Sequence, residues 1–253
     1  MKRSIVICGS QAQKEGVYGF YHGLVEATVA AFRPDFEGRP RAFLMLSEEK
    51  RMEDPDYREN VATAIHGHFD RVRRADLVFI YNEKGKFGVN TRLEFGYARH
   101  LGKPIFTFKE LPESSAEYVE AITSTPEELM GYLGEYVGII VPPAEQKDAA
   151  PWVELLRREG YIPIILSDLS ARALHQARFV DIFLVYSPKG DWEPDILDLI
   201  AAAGASGKPI FTTAIHPYEV CVNIHFHPRL VASPEEFVYI LQRGGSRPHV
   251  REA

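Results

Sequence analysis

Short apolar runs alternate with longer stretches of helical periodicity along the whole chain. The run Ser4–Cys8 predicts a first buried strand, and Gly19–Phe32 a helix after it. Arg41–Leu46 predicts a second strand. Val61, Ile65, Phe69 and Val72 recur at helical spacing and predict a helix over Asp56–Arg74. Leu77–Tyr81 predicts a third strand. A helix from Asn90 or Thr91 to Leu101, closed by Gly102, and a fourth strand at Pro104–Phe108 follow. Thr125-Pro126-Glu127-Glu128 opens a further helix, with a capping hydroxyl, a first-turn proline and an acid three residues on.

The second half repeats the plan. Strands are predicted at Val137–Val141, Ile162–Leu166, Ile182–Tyr186 and Pro209–Thr213, and helices at Pro151–Glu159, Ala171–Arg178 and Pro194–Ala203. Ser233-Pro234-Glu235-Glu236 starts a last helix as Thr125 does. Such alternation, with continuous apolar strands, predicts an α/β protein of two tandem flavodoxin-like, Rossmann-like domains. Each would have a parallel sheet covered on both faces. The expected division is a first domain over 1–135, a second over 136–243 and a disordered tail over 244–253.

The halves also match residue by residue. A shift of 105 places DLVFIYNEKGKFGVNTRLEFGYARHLGKPIFT, from Asp76, on DIFLVYSPKGDWEPDILDLIAAAGASGKPIFT, from Asp181. Roughly ten of about thirty positions are identical, which argues a duplicated unit. Lys84-Gly85 falls on Lys189-Gly190, and Gly102-Lys103-Pro104 on Gly207-Lys208-Pro209. Between these anchors Glu94 falls on Leu199, Asp70 on His175, Thr91 on Ile196 and Gly88 on Glu193. Gly9-Ser10 has Pro142-Pro143 at the corresponding strand end. The second copy has therefore lost the polar groups of the first and kept those that build a fold.

Composition narrows the function. A net charge of −6 argues against binding polymeric nucleic acid. Two cysteines, Cys8 and Cys221, suggest a reducing compartment and not a disulfide scaffold. With no membrane-length apolar run or signal-peptide pattern, the expected location is cytoplasmic.

Ligands of open α/β sheets bind at the carboxyl ends of the strands. Those ends carry Gly9, Ser10 and Gln11, then Asn82 through Thr91, with Gly88 and Asn90 before Glu94. Free amide groups where that helix starts could hold a phosphate or sugar oxygen. Lys84, Lys86 and Arg92 could meet a 5′-phosphate or form a solvated loop. Glu94 is either a first-turn glutamate favoured by the helix dipole or a carboxylate that attacks a sugar anomeric carbon. His66-Gly67-His68, and His216 with His225 and His227, lack cysteine or carboxylate partners at zinc spacing, so no metal site is expected. Cys8 reads as a small core residue.

The run DLVFIYNEKGKFGVNTRLEFGYARHLGKPIF resembles the nucleoside 2-deoxyribosyltransferase-like superfamily, over about residues 3–134. Its signature is an aspartate-led strand, a glycine-containing loop, then E-x-G-x-A and G-K-P. The resemblance implies that Glu94 is the nucleophile and Asp70 a supporting acid or sugar anchor, with no cofactor needed. Gly9, Ser10, Gln11, Asn82, Gly88, Asn90 and Thr91 would line the substrate. Gln11, Tyr18, Phe20 and Tyr21 stand where the family carries an aromatic nucleoside-gripping motif. The implied activity is cleavage of the N-glycosidic bond of a nucleoside or nucleotide, or deoxyribosyl transfer. The alternative is a sensor that binds a nucleotide-derived ligand without turning it over. The family's oligomers further imply that the second domain replaces a neighbouring subunit as an intramolecular pseudo-dimer, with homo-oligomerisation open.

Overall fold

The structure is a computed structural model and describes residues 3–36, 41–44, 46–86, 88–188, 194–214 and 228–243. The tail over 244–253, Lys189-Gly190, Glu193, Cys221, His216, His225 and His227 lie outside the described residues. The chain divides into two compact units, Met1–Leu133 and Gly134–Ala253.

The first unit contains β1 (Ser4–Gly9), α1 (Lys14–Glu26), β2 (Ala30–Phe32), α2 (Arg41–Leu44), α3 (Glu48–Arg51) and α4 (Pro55–Arg74). It continues with β3 (Leu77–Tyr81), α5 (Val89–His100), β4 (Ile105–Thr107), α6 (Glu113–Ala116), β5 (Val119–Ile122) and α7 (Pro126–Met130). The second contains β6 (Tyr136–Ile140), α8 (Ala150–Arg158), β7 (Ile162–Leu166), α9 (Ala171–Phe179), β8 (Ile182–Val185), α10 (Pro194–Ala205), β9 (Ile210–Thr212), β10 (Arg229–Leu230) and α11 (Pro234–Gln242). Each unit forms a five-stranded parallel sheet, in the orders β2-β1-β3-β4-β5 and β7-β6-β8-β9-β10. The two orders are the same topology, an α/β Rossmann-like one. Among the described residues no helix is long and apolar enough to cross a membrane.

Strand register fixes which residues correspond. Ile5 pairs with Leu77 and Val137 with Ile182, so a shift of 132 relates the first strands and 105 relates everything from β3 to β4. Helix ends obey it too: α4 and α9 stop at Arg74 and Phe179, and α5 and α10 span the same twelve positions. The change of shift falls between β2 and β3, where the first unit inserts α2, α3 and the first turns of α4. By this register Gly9 faces Val141, and Pro142 and Pro143 face Ser10 and Gln11, one place on from the expected match.

Recurring residues perform the same structural tasks in both units. Asp76 Oδ2 accepts from Ser4 N at 2.8 Å, and Asp181 Oδ2 from Tyr136 N at 2.7 Å. Each aspartate thus ties the start of a strand to its neighbour. Lys103 Nζ donates to Ala75 O at the end of α4, and Lys208 Nζ to Arg178 O at the end of α9, both at 2.7 Å. Gly102 and Gly207 take φ +65° and +68°, the left-handed turn that glycine adopts without a Cβ penalty. Thr125 and Ser233 cap their helices with a returning glutamate, Glu128 or Glu236.

Several sequence expectations are corrected. The second strand is Ala30–Phe32, not Arg41–Leu46, where Arg41–Leu44 is a single helical turn. The first helix runs Lys14–Glu26 and ends because Thr28 turns left-handed at φ +62°. The strands β5 and β10 were not foreseen, since Val119–Ile122 is interrupted by Glu120 and Arg229–Leu230 is two residues long. At the position equivalent to Thr28 the second unit has Gly160, at φ +84°. Thr28→Gly is therefore expected to stabilise the protein by about 0.5–1 kcal/mol in urea titration; a loss would show that the interactions of Thr28 outweigh the strain of its backbone.

The pleat sorts each sheet into two cores. Ile5, Ile7, Phe79 and Tyr81 face one way, with Val17, Phe20 and Leu24 of α1. Val6, Cys8, Val78 and Ile80 face the other, with Val72 of α4 and Phe95 and Ala98 of α5. This alternation points Cys8 at the layer formed by α4 and α5.

Candidate active site

Helix α4 starts at a firm cap, since Asp54 Oδ1 accepts from Tyr57 N at 2.9 Å and Pro55 follows. It lies beside α5, with Phe69 edge-on to Tyr97 at 5.0 Å. His68 falls on the same inward face as Ile65 and Val72, by the i, i+3, i+4 rule, and only 4% of it is exposed. Helix α5 begins at Val89 after Gly88, with no side-chain cap. Glu94 is its sixth residue, so it sits in the second turn and not the first. The helix-dipole reading loses its basis, because that effect fades beyond the first turn.

Glu94 instead turns inward, with 13% of its side chain exposed and its Oε1 3.5 Å from His68 Nε2. The Cys8 thiol donates a hydrogen bond to its carboxyl. One donor atom from each of Cys8, His68 and Glu94 lies within 4.8 Å of the others. Three elements thus deliver a thiol, an imidazole and a carboxyl to one point beneath the carboxyl end of β1. Glu94 Oε2 and both His68 ring nitrogens make no hydrogen bond among the described residues.

Burial governs the protonation of all three. It pushes Glu94 up to about 8, against a smaller downward pull from the Cys8 thiol. Burial, then the Arg71 guanidinium, holds His68 down to about 4. Burial, with the Glu94 charge and hydrogen bond, raises the Cys8 thiol well above its ordinary value. Near neutral pH the cluster is therefore uncharged, and His68 and Glu94 are close neighbours without being an ion pair.

The second unit shows what the fold alone requires here. By register, Cys8, His68 and Glu94 correspond to Ile140, Ala173 and Leu199. All three are buried in one apolar core cluster. Isoleucine, alanine and leucine complete this packing. The first unit keeps three polar groups at the same place, two with unpaired buried atoms, at a cost of about 1–3 kcal/mol for each unsatisfied group.

Other expected residues are placed differently. Asp70 is exposed and pairs with Arg73 at 3.0 Å, on the side of α4 turned away from His68. Asn82 is fully buried; its amide donates to Lys109 O at 2.9 Å and accepts from Lys109 N at 2.8 Å, so it clamps the chain beyond β4. Gly9 is buried, where a Cβ would meet Val17 Cγ2 at 2.8 Å. Gln11 donates to Phe36 O at 3.1 Å, holding the turn after β1 to the segment after β2. Ser10, at the start of that turn, stays partly exposed. Phe20 stacks on Phe79 at 4.1 Å inside the core, and Tyr18 lies under Arg33 at 4.1 Å, so neither is a free nucleoside-stacking ring. Tyr21 also faces Arg33. Gly88 and Asn90 are exposed at the start of α5, and Thr91 is buried there. Lys84, Lys86 and Arg92 are exposed.

Sequence reasoning placed Cys8 in the core without a chemical role, and it missed His68 as a neighbour of Glu94. The signal for His68 was its spacing, three residues after Ile65 and four before Val72, on the apolar face of the helix. An open depression of about 450 Å³ lies elsewhere, beyond the ends of β3, β4 and β5, lined by Lys84, Gly85, Phe108 and Lys109 among others. None of its lining residues belongs to the buried cluster.

Two solved structures are similar to part of the chain. One is a 2-deoxyribosyltransferase from Bacillus psychrosaccharolyticus, 16% identical, matching 51% of this chain and 91% of its own at a TM-score of 0.36. The other is a CMP N-glycosidase from Clostridium botulinum, 13% identical, matching 51% of this chain and 94% of its own at a TM-score of 0.29. No protein-family model and no curated protein matches the chain.

Proposed function

We propose that the first unit cleaves, or exchanges the base of, the N-glycosidic bond of a nucleoside or nucleotide, with Glu94 as the nucleophile. The observation that carries this reading is the replacement of Cys8, His68 and Glu94 by Ile140, Ala173 and Leu199 in a unit of the same topology. The E-x-G-x-A motif around Glu94, where the resembling family has its nucleophile, supports the choice of reaction.

The ionised carboxylate attacks C1′ of the sugar, and the departing base takes the C1′–N electron pair and gains a proton from solvent. Water then adds to C1′, releasing the sugar and restoring Glu94; a second base in place of water gives transfer. Positive charge developing at C1′ favours the ionised form of Glu94. In the free protein about one-tenth of the carboxyl is ionised at pH 7, one unit below its value of about 8. Cys8 and His68 are positioning residues that hold the carboxyl in place. Amide groups where α5 begins, beside exposed Asn90, can orient a sugar or phosphate oxygen.

The test is chromatography for free base after incubating wild type and Glu94→Gln with a panel of nucleosides and 5′-monophosphates. Base release is expected from wild type and a loss of about 10⁴-fold or more in the variant, as for removal of a covalent nucleophile. Full activity in Glu94→Gln rejects the assignment. For wild type, kcat/KM is expected to rise with pH, reach half its plateau near 8 and level off above about 9 as Glu94 deprotonates; a flat profile from 6 to 9 would contradict its role. The second reading, a sensor, draws on the neutral form of Glu94 at pH 7 and its limited exposure. A thermal shift with a ligand recovered intact would favour it.

A further inference from the structure

The cluster has a property that glycosidic chemistry does not use. Its three side chains are a thiol, an imidazole and a carboxyl, the donor types that bind zinc-class cations. Magnesium and calcium prefer all-oxygen sites and are disfavoured by the thiol and imidazole. Zinc bonds of about 2.0–2.3 Å in a tetrahedron place donors roughly 3.3–3.8 Å apart. The His68–Glu94 pair already stands at 3.5 Å, and all three donors lie within 4.8 Å. Closing the set requires movements of the order of 1 Å, the scale of side-chain adjustment.

Two further observations point to a ligand. His68 is 4% exposed, yet neither ring nitrogen has a hydrogen-bond partner among the described residues. Glu94 Oε2 is buried and likewise has no hydrogen-bond partner among the described residues. A satisfied core histidine would donate or accept at one nitrogen at least. The three corresponding positions in the second unit, Ile140, Ala173 and Leu199, carry apolar side chains, so the packing of the fold does not require polar groups there.

We infer that Cys8, His68 and Glu94 form a three-ligand site for a zinc-class divalent cation, with the fourth position left to water or a ligand atom. Binding breaks the Cys8 S–H and the Glu94 carboxyl O–H bonds and sends both protons to solvent. The thiolate and carboxylate then balance the dication, so the buried site carries no net charge, which lowers the cost of placing an ion there. If the glycosidic reading holds, metal and substrate compete for the same carboxylate, and zinc inhibits base release.

Cobalt(II) on the full chain tests the site without reference to turnover. Protein freed of metal by a chelator is titrated with Co²⁺, following the thiolate-to-cobalt charge-transfer absorption and the cobalt retained after dialysis. The expected result is saturation at one cobalt per chain with the charge-transfer band, and displacement of both by Zn²⁺. Cys8→Ser should abolish the band. Cys8→Ile/His68→Ala/Glu94→Leu, which copies the second unit, should keep its far-ultraviolet circular dichroism and lose band and uptake together. No saturable uptake, uptake without the band as surface histidines would give, or a band that survives Cys8→Ser overturns the site. Because Cys8→Ser decides by absorption alone, the site is tested even if the triple variant fails to fold. A metal-binding protein without base release would refute the enzyme reading and leave this one intact; base release without the band would do the reverse.

Discussion

Glu94→Leu is expected to stabilise the first unit by about 1–3 kcal/mol at pH 7 while removing base release altogether. The expectation follows from the buried carboxyl, whose Oε2 has no hydrogen-bond partner among the described residues. Leucine has similar length, adds apolar contact and leaves no unpaired oxygen. The second unit already carries Leu199 there, 1% exposed within an apolar cluster. The substitution leaves only the weak Cys8 thiol donor without its acceptor, because His68 has no hydrogen bond from Glu94 among the described residues. Hydrogen exchange of the β1 and β3 amides reports on this unit directly. A destabilised Glu94→Leu would mean that the Cys8 thiol bond to Glu94 outweighs the unpaired oxygen.

The second large effect is on pH. Glu94 is pushed up to about 8 from an ordinary 4.5, so the folded state keeps a proton that the unfolded chain gives up in that window. Stability from this group is complete below about 4.5 and is lost as pH rises to about 8. His68 acts in the opposite sense: held down to about 4 from 6.5, it leaves the unfolded chain binding the extra proton between those values, so stability rises there. The two slopes offset each other up to about pH 6.5. Of the other groups near the carboxyl, the Cys8 thiol from β1 is raised well above its ordinary value and stays protonated in the folded state, and the Arg71 guanidinium acts on His68. From pH 6.5 to 8 Glu94 acts alone, and stability should fall by about 1.4 kcal/mol per pH unit. Urea titrations in a chelator buffer measure it. Glu94→Gln should flatten the slope, and a wild-type curve flat over this interval would place the carboxyl in contact with solvent.

Much of the architecture was written in local pattern. Leu77–Tyr81 and Ile162–Leu166 are runs of apolar residues whose ends the structure reproduces, and the matched Asp76 and Asp181, Lys103 and Lys208 perform the same bonds in both sheets. The β2 strand was hidden because Ala30-Ala31-Phe32 lacks branched residues and is only half-buried, whereas Arg41–Leu46 offered a more apolar run. Glu94 was visible from its motif and from its loss in the second half. Its partners were not, since residues 8, 68 and 94 share no sequence spacing and meet only because the pleat of β1 and the faces of α4 and α5 converge. Asp70 lost its place by two residues on a helix, which is enough to carry a side chain to the far face. Asn82 illustrates a different limit: an asparagine at a strand end looks the same in sequence whether its amide awaits a ligand or clamps the backbone.

The chemical claim rests on a covalent bond between Glu94 and a sugar, and that bond can be trapped. Incubation with a 2′-fluoro-2′-deoxynucleoside slows release of the glycosyl-enzyme, because the fluorine disfavours positive charge at C1′. Mass spectrometry of the digested protein is expected to show the fluorosugar mass on the peptide containing Glu94 in wild type and its absence in Glu94→Gln. Base release with the adduct on another residue, or an adduct that persists in Glu94→Gln, would contradict it.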